Sequence, residues 1–124
     1  MKESDLKKTV KDYLQIGMNQ GKWYYDRLNS GYAFVGTPQH PRRIKLCREG
    51  TSDFMVIMGV PVIDQWDNEA PIHRGCLVRL IFLELKSEKG KQRQEQEWFQ
   101  KDVEEQGAEY FIIHSIEELQ EILG

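Results

Sequence analysis

Cysteine is scarce: Cys47 and Cys76 are the only two. That is too few for a disulfide scaffold, so the expected setting is reducing and intracellular, the cytoplasm. A long apolar run is missing too. The longest, residues 54–63, is interrupted by Gly59 and Pro61 and falls far short of the roughly 20 residues a membrane helix needs. No apolar stretch follows the opening Met1-Lys2-Glu3-Ser4, so no secretory signal is read there. Internal repeats and low-complexity tracts are absent. Basic residues nearly vanish at the end: residues 95–124 hold one Lys/Arg against nine Asp/Glu, while residues 1–94 hold 16 against 11. The net charge of −3 therefore conceals a body at +5 and a tail at −8. A body of that sign can hold a phosphate backbone on one face, which keeps nucleic acid open as a partner.

What is present is enough for one core. With 124 residues, 40% hydrophobic and 30% charged, the chain reads as one domain over 1–124. Leu6, Val10, Tyr13 and Leu14 recur at the helical period and predict a helix over 3–16, stopped by Gly17 and Asn19-Gln20-Gly21. Residues 22–28 read as a strand, Asn29-Ser30-Gly31 as a turn and residues 32–35 as its returning strand. Residues 36–50 read as a loop or short irregular strand. Asp53 to Met58 and Leu77 to Lys86 are nearly continuous apolar runs, as expected of strands covered on both faces. Between them, two prolines with Asp64, Asp67, Asn68 and Glu69 predict a loop, an insertion over 60–76. A polar helix over 91–106, a strand over 109–113 and a helix opening on the Ser115-x-x-Glu118 capping box complete the order. An α/β domain with a central sheet flanked by helices follows.

The chemistry centres on Glu84-Leu85-Lys86. Alternation puts Glu84 and Lys86 on one face, behind the apolar Val78, Leu80 and Phe82. Burying either charge alone is costly, which favours a pair or a bound ion. Asp53 opens the preceding strand after Gly50-Thr51-Ser52, an unfavourable residue type ahead of an apolar run. If the two strands are antiparallel neighbours, Asp53 and Glu84 converge. Two carboxylates and the Leu85 carbonyl are hard oxygen donors suited to Mg²⁺ or Mn²⁺. Such an ion with an adjacent Lys can activate water and stabilise charge on a phosphodiester. Alone, a Glu-x-Lys on a strand is more often a surface ion pair contributing roughly 0–1 kcal/mol.

With those residues placed, the chain resembles the virus-type replication–repair nuclease (VRR-NUC) domain of the PD-(D/E)xK superfamily. The carriers are Gly50-Thr51-Ser52-Asp53, Glu84-Leu85-Lys86 and Gly90-Lys91-Gln92-Arg93-Gln94-Glu95-Gln96, set against the family's Gly-x-x-Asp, Glu-x-Lys and Gly-x-x-Ser-x-x-Gln. The resemblance implies a restriction-endonuclease-like fold around a mixed sheet, with Asp53, Glu84, Lys86 and Gln96 catalytic. It implies that Asp53, Glu84 and the Leu85 carbonyl hold Mg²⁺ or Mn²⁺, with Glu3 on the first helix a further ligand candidate. Arg93 departs from the family's Ser, and the 60–76 segment is longer than a small member needs. The stand-alone, phage-type members form homodimers and act on branched DNA, so the resemblance implies cleavage of junction or flap DNA in replication, repair or recombination.

Other residues carry weaker signals. Arg42, Arg43, Lys45 and Arg48, with Lys89, Lys91 and Arg93 after the motif, are the candidate phosphate contacts. A solvated basic loop accounts for the first four as well. Gln96 fits a site role or a plain backbone hydrogen bond, and Glu3 could merely complement the helix dipole. Trp23, Tyr24, Tyr25 and Tyr32 beside Lys22 and Arg27 could stack bases, though packing is the commoner fate of hairpin aromatics. His40, Cys47, His73 and Cys76 could be assembled into a zinc site, but their spacing is poor and no Cys-x-x-Cys is present. The competing readings are a catalytically degenerate module holding DNA, and a protein-interaction subunit with an incidental ion pair.

Overall fold

The computed structural model describes the backbone of residues 2–67 and 70–124, and the side chains of residues 2–60 and 77–124. The elements are α1 (Glu3–Asn19), β1 (Tyr24–Arg27), β2 (Tyr32–Thr37), β3 (His40–Lys45), β4 (Phe54–Asp67), β5 (Ala70–Leu85), α2 (Gln94–Glu105), β6 (Glu109–Ile113) and α3 (Ile116–Leu123). This is the expected α/β architecture. A four-stranded sheet runs in the order β1-β4-β5-β6, and β2 and β3 form a separate two-stranded ribbon. Pairing is antiparallel between β1 and β4 and between β4 and β5, and parallel between β5 and β6. A parallel pair needs a crossover, which α2 supplies.

Alternation along β5 divides the molecule into two layers. Ile81, Leu83 and Leu85 point to one face, where they join Phe54 and Val56 of β4 and Ile113 of β6. Leu6, Val10 and Leu14 of α1 and Leu119 and Leu123 of α3 close that side. The opposite face is thinner: Phe82 meets Phe99 of α2 edge-on at 5.1 Å, and Phe99 contacts Tyr110 of β6 at 6.1 Å. Arg79 and Glu109 pair bidentately at 2.8 Å across β5 and β6, which holds the Glu109 carboxyl below its usual range.

Four expectations need correction or refinement. The segment predicted as a loop over 60–76 continues the hairpin, with pairing from Val60↔Leu77 to Asp67↔Ala70. Register shifts between Pro61 and Ile63 and between Ile63 and Gln65 are how the ladder accepts proline and polar residues; Asn68 and Glu69 lie outside the described residues. Second, β2 does not return against β1. It pairs forward with β3 around Pro38-Gln39, from Thr37↔His40 to Tyr32↔Lys45, while β1 takes the edge of β4, Arg27 opposite Phe54. Third, of the loop or short irregular strand read over 36–50, the strand is what forms, and over His40–Lys45 it is regular. Fourth, α1 runs through Gly17 to Asn19. Gly17 is needed for contact, because a Cβ there would overlap the Trp23 ring, whose Nε1 donates to the Leu14 carbonyl at 2.9 Å. The last elements fall as expected: Ser115 Oγ accepts from Glu118 N–H at 3.3 Å.

Candidate active site

Antiparallel pairing of β4 with β5 brings the head of one to the tail of the other. Phe54 pairs with Leu83, so Asp53 stands beside Glu84. Asp53 Oδ2 accepts the Leu85 backbone N–H at 2.8 Å. A strand residue directs its N–H and C=O to the same neighbour, so the Leu85 carbonyl also faces the Asp53 side. Glu84 and Lys86 share the other face of the strand, with Lys86 Nζ 3.5 Å from Glu84 Oε1.

These groups line a cleft of about 300 Å³ whose nine lining residues are all polar or charged. A larger groove of about 360 Å³ between β5 and the end of α2 is walled mostly by Val78, Leu80, Phe82 and Val103. It gathers a single carboxylate, Asp102, and offers no comparable chemistry.

Gln96 enters from α2, where it is buried. Its Nε2 donates to Glu84 Oε1 at 2.8 Å, and its Oε1 accepts the Arg93 backbone N–H at 2.8 Å. Gln96 thus makes the backbone hydrogen bond and at the same time reaches Glu84. Arg93 is the helix N-cap, the place where a Ser would accept from the first turn and an Arg cannot. Gly50 explains the motif's glycine. Its φ is +87°, and a Cβ would overlap the Glu95 carbonyl, so only glycine lets the Asp53 loop lie against the start of α2.

Glu84 is 3% exposed, and its Oε2 has no hydrogen-bond partner among the described residues. Burial first, and then the charge of Asp53, push its carboxyl up to about 7. A buried carboxyl oxygen left without a partner, in the field of a second carboxylate, is the observation a cation would explain. Mg²⁺ is commonly held by one or two carboxylates, with waters and substrate phosphate completing the shell. Asp53, Glu84 and the Leu85 carbonyl fit that pattern. Among the described residues no group of three or more His, Cys, Asp or Glu side chains is arranged around a metal position. The side chains of His73 and Cys76, named for the zinc alternative, lie outside the described residues.

Glu3 reaches the rim of the same cleft. It connects to the centre through Lys7, whose Nζ is 4.0 Å from Glu3 Oε1 and 3.2 Å from Asp53 Oδ1. Lys7, Ser30 and Thr51 line the cleft and are not among the sequence candidates. A signal existed only for Lys7, which stands one helical turn beyond Glu3 on the same flank of α1. Of the seven basic candidates, Arg93 lines the cleft. Arg42, Arg43 and Lys45 lie exposed on β3, Arg48 lines a separate groove with Trp98, and Lys89 and Lys91 are exposed beyond β5. Tyr110, pushed up to about 12 by burial, stays protonated beneath Phe99. No family model, no curated protein and no solved structure matches the chain.

Proposed function

We propose that the chain is a metal-dependent endonuclease that hydrolyses DNA phosphodiesters, selective for branched, junction or flap DNA and acting as a homodimer. The observation that carries this reading is the meeting of Asp53, Glu84 and Lys86 in one polar cleft, with Glu84 Oε2 buried and unpartnered among the described residues. Asp53 and Glu84, with the Leu85 carbonyl, would hold Mg²⁺ or Mn²⁺, which lowers the pKa of a water and neutralises charge on a phosphate. Lys86 Nζ, held beside Glu84, donates a proton to hydrogen-bond the attacking water or a non-bridging phosphate oxygen. Gln96 keeps Glu84 Oε1 occupied and so leaves Oε2 as the oxygen for an ion. Lys7 neutralises Asp53 in the absence of another cation and supplies a second positive group for the scissile phosphate. Arg93 at the rim adds a phosphate contact.

The degenerate-module reading has one observation in its favour: Lys7 already seats an ammonium on Asp53 Oδ1. Plasmid, flap and four-way-junction DNA incubated with Mg²⁺ or Mn²⁺ separate the two readings. Cleavage by the wild type, lost in chelator and in Glu84→Gln and Lys86→Met, is the expected result. Intact DNA with both ions would overturn the nuclease assignment.

A further inference from the structure

The β2–β3 ribbon turns its large side chains outward. Phe34 is 78% exposed and Tyr32 49%, while Ala33 and Val35 on the other face are half-buried. Cross-strand register puts Phe34 opposite Arg43 and Tyr32 opposite Lys45, so one face of the ribbon carries two rings and two cations. The Arg43 guanidinium lies 4.1 Å from the Tyr32 ring centre, an arrangement that holds the cation in place. Residues 28–48 contain His40, Arg42, Arg43, Lys45 and Arg48 and no Asp or Glu, in a chain with 20 acidic residues.

We propose that this face is a landing platform for an unpaired stretch of DNA, with a base stacked on Phe34 and its phosphates held by Arg43 and Lys45. Exposed rings flanked by cations are what a single strand requires, since every base has a stacking face and each nucleotide a charge. A protein partner is the weaker match: two partly exposed rings offer at most roughly 300–500 Å², against about 800 Å² per partner in a stable interface. The ribbon's foot is tied to the cleft. Ser30, which lines it, bridges to Cys47, and Cys47 N–H donates to the Asn29 carbonyl at 2.8 Å. From there, six-residue strands reach on the order of 20 Å. A tail bound on the ribbon would therefore lead back to the phosphodiester in the cleft, and in that placement the inference rests on the nuclease reading.

Fluorescence anisotropy in chelator tests it without any cleavage, using a single-stranded DNA oligonucleotide, its blunt duplex, the duplex with a single-stranded tail, and an RNA of the same sequence. The wild type should prefer the tailed duplex and the single strand to the blunt duplex. Phe34→Ala should weaken those two roughly tenfold and leave the blunt duplex unchanged, with Phe34→Tyr restoring binding. The Arg43→Ala/Lys45→Ala double variant should weaken all DNA and lower the salt slope by about one to two. Because Phe34 is exposed, an unchanged melting temperature in Phe34→Ala confirms that the fold is intact. Equal single-strand affinity in wild type and Phe34→Ala, tighter binding of the RNA, or self-association that Phe34→Ala abolishes would each overturn the proposal. Binding with no cutting in metal would sink the nuclease reading and leave the platform standing.

Discussion

Gln96 donates to Glu84 Oε1 at 2.8 Å from the crossover helix α2. The carboxamide is fixed at its other end by the Arg93 N–H, so it cannot turn away without leaving a backbone donor unpaired. Glu84 is thereby held with one oxygen occupied and the other without a partner among the described residues.

Removing that link should cost both stability and function. Gln96→Ala strands a buried acceptor and a helix N–H, and is expected to lower stability by about 1–3 kcal/mol in denaturant melts. Affinity for Mn²⁺ should fall about 10–100-fold, as for other groups that orient a ligand. An unchanged Mn²⁺ titration would show that Gln96 only caps its helix.

Glu84 sets a pH dependence. Its carboxyl titrates at 4.5 unperturbed and at about 7 in the fold, so the folded state holds the proton more tightly. The stabilisation is fully present below 4.5 and is lost as pH rises through 7. Metal-free wild type should therefore lose up to about 3 kcal/mol between pH 4.5 and 8 relative to Glu84→Gln. Binding a cation must expel that proton, so the Mn²⁺-induced rise in melting temperature should be larger at pH 8 than at pH 5.5. A rise that is independent of pH would contradict this.

Lys7 competes with any cation for Asp53. Lys7→Met should tighten Mn²⁺ binding, seen as a larger thermal shift at the same concentration, while slowing DNA cleavage through loss of a phosphate contact. Weaker Mn²⁺ binding in this variant would show that the ammonium orders the site rather than guarding it.

Gly50→Ala tests the contact between the Asp53 loop and α2. A left-handed φ costs an alanine about 1 kcal/mol, and overlap with the Glu95 carbonyl adds at least as much. A loss of about 2 kcal/mol or more is expected, with cleavage falling further as Gln96 moves off Glu84. Arg93→Ser is the counterpart, supplying the missing N-cap acceptor for a gain of about 1 kcal/mol while removing a positive charge from the cleft rim.

Local pattern alone decided much of this protein. The apolar runs before residue 59 and after 76, the strand at 109–113 and the Ser115 cap are legible because alternation and capping act over a few residues. The meeting of Asp53 with Glu84 was legible on one condition, that adjacent strands pair antiparallel. Other features depend on partners that the sequence does not name. Pro61 and Pro71 read as loop residues because propensity cannot see the neighbouring strand, which pairs them with Cys76 and Trp66. Tyr32–Thr37 had two possible partners, and the edge of β4 was taken by β1. Gly17 looked like a helix stop because nothing local announces the Trp23 ring above it. Lys7 lay off the apolar stripe, and only the docking of α1 on the sheet carries it to Asp53. The sequence by itself determined most of the helical and extended segments and which acids are out of place. The tertiary structure alone decided what faces them, since a side chain's chemistry depends on groups brought near by pairing and packing across the chain.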